Sequence, residues 1–326
     1  MDPDARPATG ASRSRNRLRT SFLGPAGTFT EEALLTQGDL AAGELVPTAS
    51  LAEALAAAGD GRTDMAFVPI ENSIEGSVNA TLDSLVFDHD LLIQREVILD
   101  IHLHLMARPG TAVADVRKVL TFPEAAGQCR RYLSRSLPGA TVQAASSTSD
   151  AARHVGGSRT AGLAAIAPAL SAKLYGLAVL DSSIEDHPDN QTRFVVVARD
   201  RIPARTGHDR TSIACFQHRD RPGSLHSILG QFSARGINLT RLESRPTKRA
   251  LGDYCFIIDL EGHVSDEVVA DCLRDLHAQL ADLKFLGSYP AAGDQGPARR
   301  RRVQASWRQA DSWIRSLHAK VQPERR

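Results

Sequence analysis

Four short polar clusters hold the residues of this chain that are equipped for chemistry, and each lies where a strand-like run gives way to a loop or helix. In Thr192-Arg193-Phe194 a hydroxyl and a guanidinium stand side by side at the head of the apolar run Phe194-Val195-Val196-Val197. Such a run reads as a buried strand, so the polar pair enters a sheet beside a cleft. An arginine there can hold a carboxylate through two parallel N–H bonds, and the neighbouring threonine can donate or relay a proton. Taken alone, an arginine at a strand start is more often one half of a surface ion pair. The stretch from Pro69 to Val78 packs Glu71, Asn72, Ser73, Glu75 and Ser77 into one strand exit. In open α/β sheets ligands bind at the carboxyl ends of strands. Gly24-Pro25-Ala26-Gly27-Thr28-Phe29 joins a first strand to a first helix, where free N–H groups favour an anion. The segment lacks the Lys-Ser/Thr ending of a phosphate loop, and its other reading is a tight turn capped by Thr28. Thr121 to Gln128 also leaves a strand and enters a helix, with Thr121 placed to bond a ligand oxygen or to cap that helix. Ser146-Ser147-Thr148-Ser149-Asp150 reads as a further N-cap cluster.

The elements that must position these groups follow from periodicity. Arg19 to Leu23 is strand-like, and Thr28 with Glu31, then Ser50 with Glu53, are spaced as capping boxes ahead of two helices. Met65 to Ile70, Val116 to Leu120 and Gly162 to Ala167 are further strands, each followed by a polar exit or a helix, and Leu91 to His104 is extended. Alternation of this kind predicts an α/β architecture with a mostly parallel sheet. Arg201 to Arg210 reads as a linker. Beyond it, Thr211–Phe216, Ile237–Glu243, Tyr254–Leu260 and Leu283–Tyr289 are strands, with helices over Pro222–Arg235 and Ser265–Leu280. That βαββαβ order is a ferredoxin-like α+β module.

At 326 residues the chain calls for two or three domains, and a formal charge of +1 gives no global pull towards nucleic acid or a membrane surface. The four cysteines show no metal-ligand spacing and fit a reducing cytoplasm. No apolar stretch is long enough to span a bilayer, and the N-terminus lacks the core of a signal peptide. Residues 1–17 have the composition of a disordered segment. The tail 291–326 contains Arg299 to Arg302, and then Val303, Trp307, Ala310, Ile314, Leu317 and Val321 at steps of three and four, with Trp313 beside them. That stripe predicts an amphipathic helix that docks on its own fold or on a neighbouring subunit.

Together the clusters resemble the prephenate dehydratase family over about residues 18–290. GPAGTFTEEA, PIENSIEGSVNATLD, IAPALSAKLYGLAVL and the Asp189-Asn190-Gln191-Thr192-Arg193-Phe194 segment occur in family order. They are followed by a module similar to the amino-acid-sensing ACT domain. The resemblance implies a two-lobed catalytic domain like periplasmic binding proteins over 18–200. Lobe one would be 18–92 with 184–200, and lobe two 93–183. A linker over 201–210 and a regulatory ACT domain over 211–290 would complete the chain. Two departures stand out. Thr121-Phe122-Pro123-Glu124 replaces the usual Ser-His-Pro-Gln, which leaves that corner of the pocket open to question, and Ser224 replaces an alanine of the effector loop. The short stretch before the first strand leads us to expect no fused chorismate mutase.

By that resemblance the reaction is the decarboxylating dehydration of prephenate to phenylpyruvate in phenylalanine biosynthesis, a hydro-lyase activity needing no metal or organic cofactor. Thr192, Asn72, Thr121 and Gln128 would be catalytic, with Thr192 as acid or relay for the departing hydroxyl and Glu71 or water as the other proton source. Arg193, Phe194, Gly27, Thr28, Glu71 and Ser73 would meet the substrate, Arg193 through a carboxylate. Gly223, Ser224, Leu225, Asn238, Glu243, Ser244, Arg245 and Pro246 would bind L-phenylalanine as a feedback effector, within a cytoplasmic homodimer or homotetramer joined through ACT domains. Arogenate, the amino analogue, is a rival substrate, and a non-catalytic solute sensor is the rival from another class.

Overall fold

Three separate sheets organise the chain, and the points at which it crosses between them place the polar clusters. A computed structural model describes residues 17–219, 221–248, 252–293, 312–317 and 319–320. The expected disordered segment, apart from Arg17, and most of the tail stripe lie outside these. Of that stripe, Trp313, Ile314 and Leu317 are described and exposed.

The first part of the chain runs β1 (Arg19–Leu23), α1 (Phe29–Leu35), α2 (Gly38–Ala41), β2 (Glu44–Thr48), α3 (Leu51–Gly59), β3 (Met65–Asn72), β4 (Gly76–Ser77), α4 (Asn79–Asp83) and β5 (Leu92–Asp100). The second runs β6 (His104–Ala107), β7 (Lys118–Thr121), α5 (Pro123–Gln128), α6 (Arg130–Ser136), β8 (Thr141–Ala144), α7 (Thr148–Gly157), β9 (Leu163–Ala167), α8 (Ala169–Tyr175) and β10 (Ala178–Asp181). After β11 (Gln191–Ala198) come β12 (Asp209–Phe216), α9 (Ser224–Ala234), β13 (Leu239–Pro246), β14 (Tyr254–Glu261), α10 (Glu267–Gln279) and β15 (Asp282–Pro290). The capping readings hold locally. Thr28, Ser50 and Ser147 each accept the N–H three residues on, which satisfies a donor that the first helical turn leaves free.

The first sheet has the order β2-β1-β3-β11-β5, with β4 paired to β3, and the second has the order β10-β6-β9-β7-β8. The chain up to β11 is therefore two-lobed α/β, but the expectation of mostly parallel sheets is corrected to mixed ones. β11 returns from the second lobe and inserts antiparallel between β3 and β5, and β6 lies antiparallel to β9. The crossing also falls later than expected. β5 stays bonded to β11 as far as Asp100, so the chain leaves the first sheet there and not near Leu92.

The third sheet, β13-β14-β12-β15, is wholly antiparallel and has the βαββαβ order. One face packs Ile213, Cys215, Ile258 and Leu260 against Ile228 and Phe232 of α9 and Val269, Cys272 and Leu276 of α10. The other face packs Ala214, Cys255, Ile257, Leu286 and Tyr289 onto Val68, Ile70, Val195 and Val197 of the first lobe. One apolar core thus joins the small sheet to β3 and β11, the strands that carry the first two polar clusters. Burying this face contributes roughly 25 cal/mol per Å² of apolar surface.

Candidate active site

Backbone register brings the first two clusters together. Thr192 pairs with Asn72 across β11 and β3, and Arg193 pairs with Glu71. Successive strand residues point to opposite faces, so the threonine and the arginine cannot serve the same pocket from one strand.

On the Thr192 face, Asn72 is held by a tight local turn. Its Oδ1 accepts the N–H groups of Ile74 at 2.9 Å and Glu75 at 3.0 Å. In this orientation Nδ2 points at Thr192 Oγ1, 2.9 Å away. The bond fills an acceptor position of the threonine and leaves its own O–H without a hydrogen-bond acceptor among the described residues. Thr192 is thereby set to donate into the cleft. Asn72 Nδ2 also donates to Asn190 Oδ1 at 2.9 Å. Asn190 Nδ2 donates to Gln128 Oε1 at 3.2 Å, and Gln128 Nε2 donates to Glu75 Oε1 at 3.1 Å. Glu75 returns to Asn72 through its backbone N–H, which closes a ring of hydrogen bonds. Three members come from the first lobe and the crossing segment, while Gln128 comes from α5 of the second lobe. Ser73 joins the same cluster: it accepts Gln191 N–H at 2.9 Å and donates to Asn190 Oδ1 at 3.3 Å.

A second set of bonds latches the lobes at the Gly24–Thr28 loop. Ser171 Oγ donates to Gly27 O and Tyr175 Oη to Ala26 O, both at 2.7 Å, and Ser149 Oγ also donates to Ala26 O. Gly27 has φ of 89°, and a Cβ there would lie 2.8 Å from Ser149 Oγ and 2.9 Å from Ser171 Oγ. Only glycine fits between these hydroxyls. Nearby, burial raises the carboxyl of Glu32, with Lys173 and His102 pulling it back.

On the opposite face, Arg193 is buried among carboxylates. Its Nη2 lies 2.8 Å from Asp259 and 2.9 Å from Glu71, and its Nη1 lies 3.2 Å from Glu96. Glu96 also takes Arg210 at 2.6 Å, and Asp259 accepts from Ser212 at 2.6 Å. Burial disfavours charge on both partners, yet Arg193 stays ionised because Asp259 and Glu96 outweigh that cost. The same balance holds Asp259 below the usual carboxylate range, with Arg193, Arg241 and Arg210 opposing its desolvation. This corrects the expectation that Arg193 grips a substrate carboxylate: its guanidinium is spent on protein anions and binds the small sheet to the strand that carries Thr192.

Other expected positions fall elsewhere. Phe194 is buried and stacks on Phe67 at 5.3 Å, within the core and not against a ligand. Thr121 is fully buried and donates to Ile166 O at 2.9 Å, a bond between neighbouring strands that keeps it out of the ring. Thr28 caps α1, and the Gly27 N–H is taken by Glu31. Glu71 lies beside Arg193, on the face away from Thr192. Two of the expected effector residues turn towards the first lobe. Glu243 accepts from Ser77, and Arg245 bonds Asn79 and Asp83. Asn238 donates to Glu261 at 3.0 Å, while Gly223 forms the left-handed N-cap of α9 ahead of Ser224 and Leu225. Ser244 lines a cavity of about 660 Å³, and Pro246 ends β13. The residue that sequence reasoning left without a role is Asn190, which is buried at the centre of the ring. Its sequence signals are its place in the turn before Thr192 and its membership of the Asp189–Phe194 segment.

Comparison with known proteins adds to this geometry. A family profile described as Prephenate dehydratase matches residues 20–202, and one described as ACT domain matches residues 211–278. Prephenate dehydratase of Mycobacterium tuberculosis is 45% identical over 294 residues, covering 86% of this chain and 90% of that protein. The solved structure of prephenate dehydratase from Arthrobacter aurescens, in complex with L-Phe, has a TM-score of 0.81 at 40% identity and covers 93% of this chain and 100% of that one. A solved structure described as a novel type of quorum quenching acylase has a TM-score of 0.76 at 29% identity and covers 84% of this chain and 98% of that one.

Proposed function

This chain belongs to the prephenate dehydratase family, and we propose that Thr192 delivers the hydrogen bond that carries away the C4 hydroxyl of prephenate. The enzyme converts prephenate to phenylpyruvate with release of carbon dioxide and water. The bond between ring C1 and its carboxylate breaks, and its electron pair enters the ring. The C4–O bond breaks in turn, and the hydroxyl leaves as water after taking one proton. Aromatisation supplies most of the driving force, so the protein contributes positioning and proton delivery. An aliphatic hydroxyl is too weak an acid to surrender a proton outright, so Thr192 acts as donor and relay, with water replacing the proton. Asn72 orients Thr192, and Gln128 brings the second lobe over the ring. Gly27 holds the lobe contact and Ser73 supports the ring.

The observation that supports this role is the bond from Asn72 Nδ2 to Thr192 Oγ1, which turns the threonine proton outwards. Thr192→Ala should cost about 10²–10⁴-fold in kcat, with Thr192→Ser largely restored and the circular dichroism spectrum unchanged. A Thr192→Ala enzyme with near-normal turnover sinks the assignment. Running arogenate beside prephenate in the same assay ranks the two substrates by kcat/KM.

The regulatory reading is feedback inhibition by L-phenylalanine, as expected for a biosynthetic enzyme with an ACT domain. It is supported by the cavity at the end of β13, walled by Phe216, Tyr254 and Phe256, with Arg219 and Asp253 beside them. Those groups suit the ring, carboxylate and ammonium of an aromatic amino acid. Of the effector residues expected from the resemblance, Ser244 lines it. We place the homo-oligomer contact on the same module, whose edge strand β13 leaves Leu242 exposed. Among the described residues no helix is long and apolar enough to cross a membrane, and we place the enzyme in the cytoplasm.

A further inference from the structure

We infer that Asn190 is the positioning residue through which lobe closure sets the orientation of Asn72 and Thr192. It rests on the reading of Thr192 and Asn72 as the reacting pair. Asn190 is 1% exposed and has a hydrogen-bonding partner on each side of its amide. Its Oδ1 accepts from Asn72 and Ser73, and its Nδ2 donates to Gln128. Its backbone is pinned as well: the carbonyl accepts Ile101 N–H at 2.8 Å and the N–H donates to His187 O at 3.2 Å. The residue thus lies on the returning segment of the crossing and is tied to the outgoing one at Ile101, while its amide reaches one side chain from each lobe. The ring runs one way, from Asn72 to Asn190 to Gln128 to Glu75 and back. Reversing any one amide sets two acceptors or two donors face to face, so the second lobe can dock Gln128 only when Asn72 already presents Nδ2 to Thr192. Asn190 touches no reacting atom. It makes closure and threonine orientation a single event.

The test is a double-mutant cycle of Asn190→Ala and Gln128→Ala on the full chain, with steady-state turnover of prephenate as readout. Each single variant should lower kcat on the order of 30-fold, as loss of one or two buried hydrogen bonds implies, with KM within about threefold. The double variant should fall little below the worse single one, because breaking the ring once removes its effect. Independent, multiplying losses overturn the proposal, as does an Asn190→Ala enzyme with normal kcat per folded molecule. Asn190→Asp takes its place in the cycle if the alanine variant does not fold, since it keeps the size and the acceptor for Asn72 and sets a carboxylate oxygen against Gln128 Oε1 in place of the donor. A fully active Thr192→Ala enzyme would refute the reading of the site itself, which the cycle does not depend on for its arithmetic.

A separate set of contacts carries a second inference, which rests on L-phenylalanine being the effector. We propose that Ser77 couples the regulatory sheet to the ring. Arg241 Nη2 lies 2.6 Å from both Ser77 Oγ and Glu243 Oε2, and Ser77 donates to that same carboxylate. Ser77 is also the register partner of Glu71, and Gly76 that of Asn72, so a shift of β13 moves the turn that holds Asn72. Ser77→Ala should keep uninhibited kcat within about twofold and should still bind L-phenylalanine by calorimetry. Its inhibition midpoint should shift by about tenfold or more, the size of an ordinary coupling free energy. Inhibition at the wild-type midpoint overturns the coupling role. A wild-type enzyme that neither binds nor responds to L-phenylalanine overturns the effector reading along with it.

Discussion

Replacing Gly27 with alanine separates the cost of backbone conformation from the cost of holding the lobes apart. Gly27 has φ of 89°, a region that charges an L-residue about 1–2 kcal/mol. This part is paid whether the cleft is open or closed, and it should appear as lost thermal stability. The added Cβ would also stand 2.8 Å and 2.9 Å from two hydroxyls of the second lobe. Those serines must turn away, which gives up their bonds to Ala26 O and Gly27 O. At about 0.5–1.5 kcal/mol each, the closed state loses about 1–3 kcal/mol that the open state keeps. Since about 1.4 kcal/mol is a factor of ten, kcat/KM for prephenate should fall about 5- to 150-fold. Gly110→Ala is the matched control, because Gly110 has φ of 87° and open space where a Cβ would stand. It should lose similar stability with unchanged kcat/KM. Melting curves and ultraviolet assays of phenylpyruvate on both variants decide the matter. A Gly27→Ala enzyme with the stability loss but with kcat/KM within twofold of wild type refutes the latch.

Asp259→Asn should destabilise the enzyme by about 3–5 kcal/mol, because it leaves the buried Arg193 short of a counter-charge, and denaturant titration at neutral pH measures this. The folded carboxyl of Asp259 lies below its unfolded value, so its contribution is present above about pH 3.9 and is lost as pH falls further. The variant should therefore show a flatter decline in melting temperature through that acid range than wild type. Arg193→Lys, which cannot reach three carboxylates at once, should lower the melting temperature while leaving KM for prephenate within about threefold. A large isolated rise in KM would restore the substrate-carboxylate role. Burial pushes the thiols of Cys129 and Cys215 up to about 12 and those of Cys255 and Cys272 up to about 11. A thiol reagent at pH 8 should label none in the folded enzyme and four after denaturation, counted by mass.

Much of the site was readable because local rules governed it. Thr28, Ser50 and Ser147 cap helices as their spacing implies, and the turn after Asn72 follows from an asparagine placed two and three residues before free N–H groups. The facing of β11 was not readable. Phe194 to Val197 are apolar without a break because the strand is covered on both sides, so no period of two marks which residues meet the cleft. Arg193 reads as a substrate ligand on its guanidinium and on the family resemblance, and nothing in the run contradicts that facing. Its true partners, Glu96 and Asp259, stand 97 and 66 residues away, the second of them in a different domain. Asn190 was passed over because a turn asparagine has an ordinary local explanation, and its bond to Gln128 spans 62 residues. Pairings of that length come from sheet order, which no segment of the chain states by itself.

The alternation along β11 also bears on how this sequence can change over generations. Thr192 faces away from Arg193, which meets the regulatory sheet, and β11 is paired with β5 from Gln191 and with β3 from Thr192, each ladder running to Ala198 with one register shift. Inserting or deleting a single residue within that span would exchange the two faces, aiming the arginine at the substrate and the hydroxyl at Asp259. The bend before Asn190 absorbs length changes more readily than the strand after it, which is paired on both sides. Lineages descended from this enzyme are thus free to exchange side chains on β11 one at a time, while its length is fixed by two selective demands made from opposite sides.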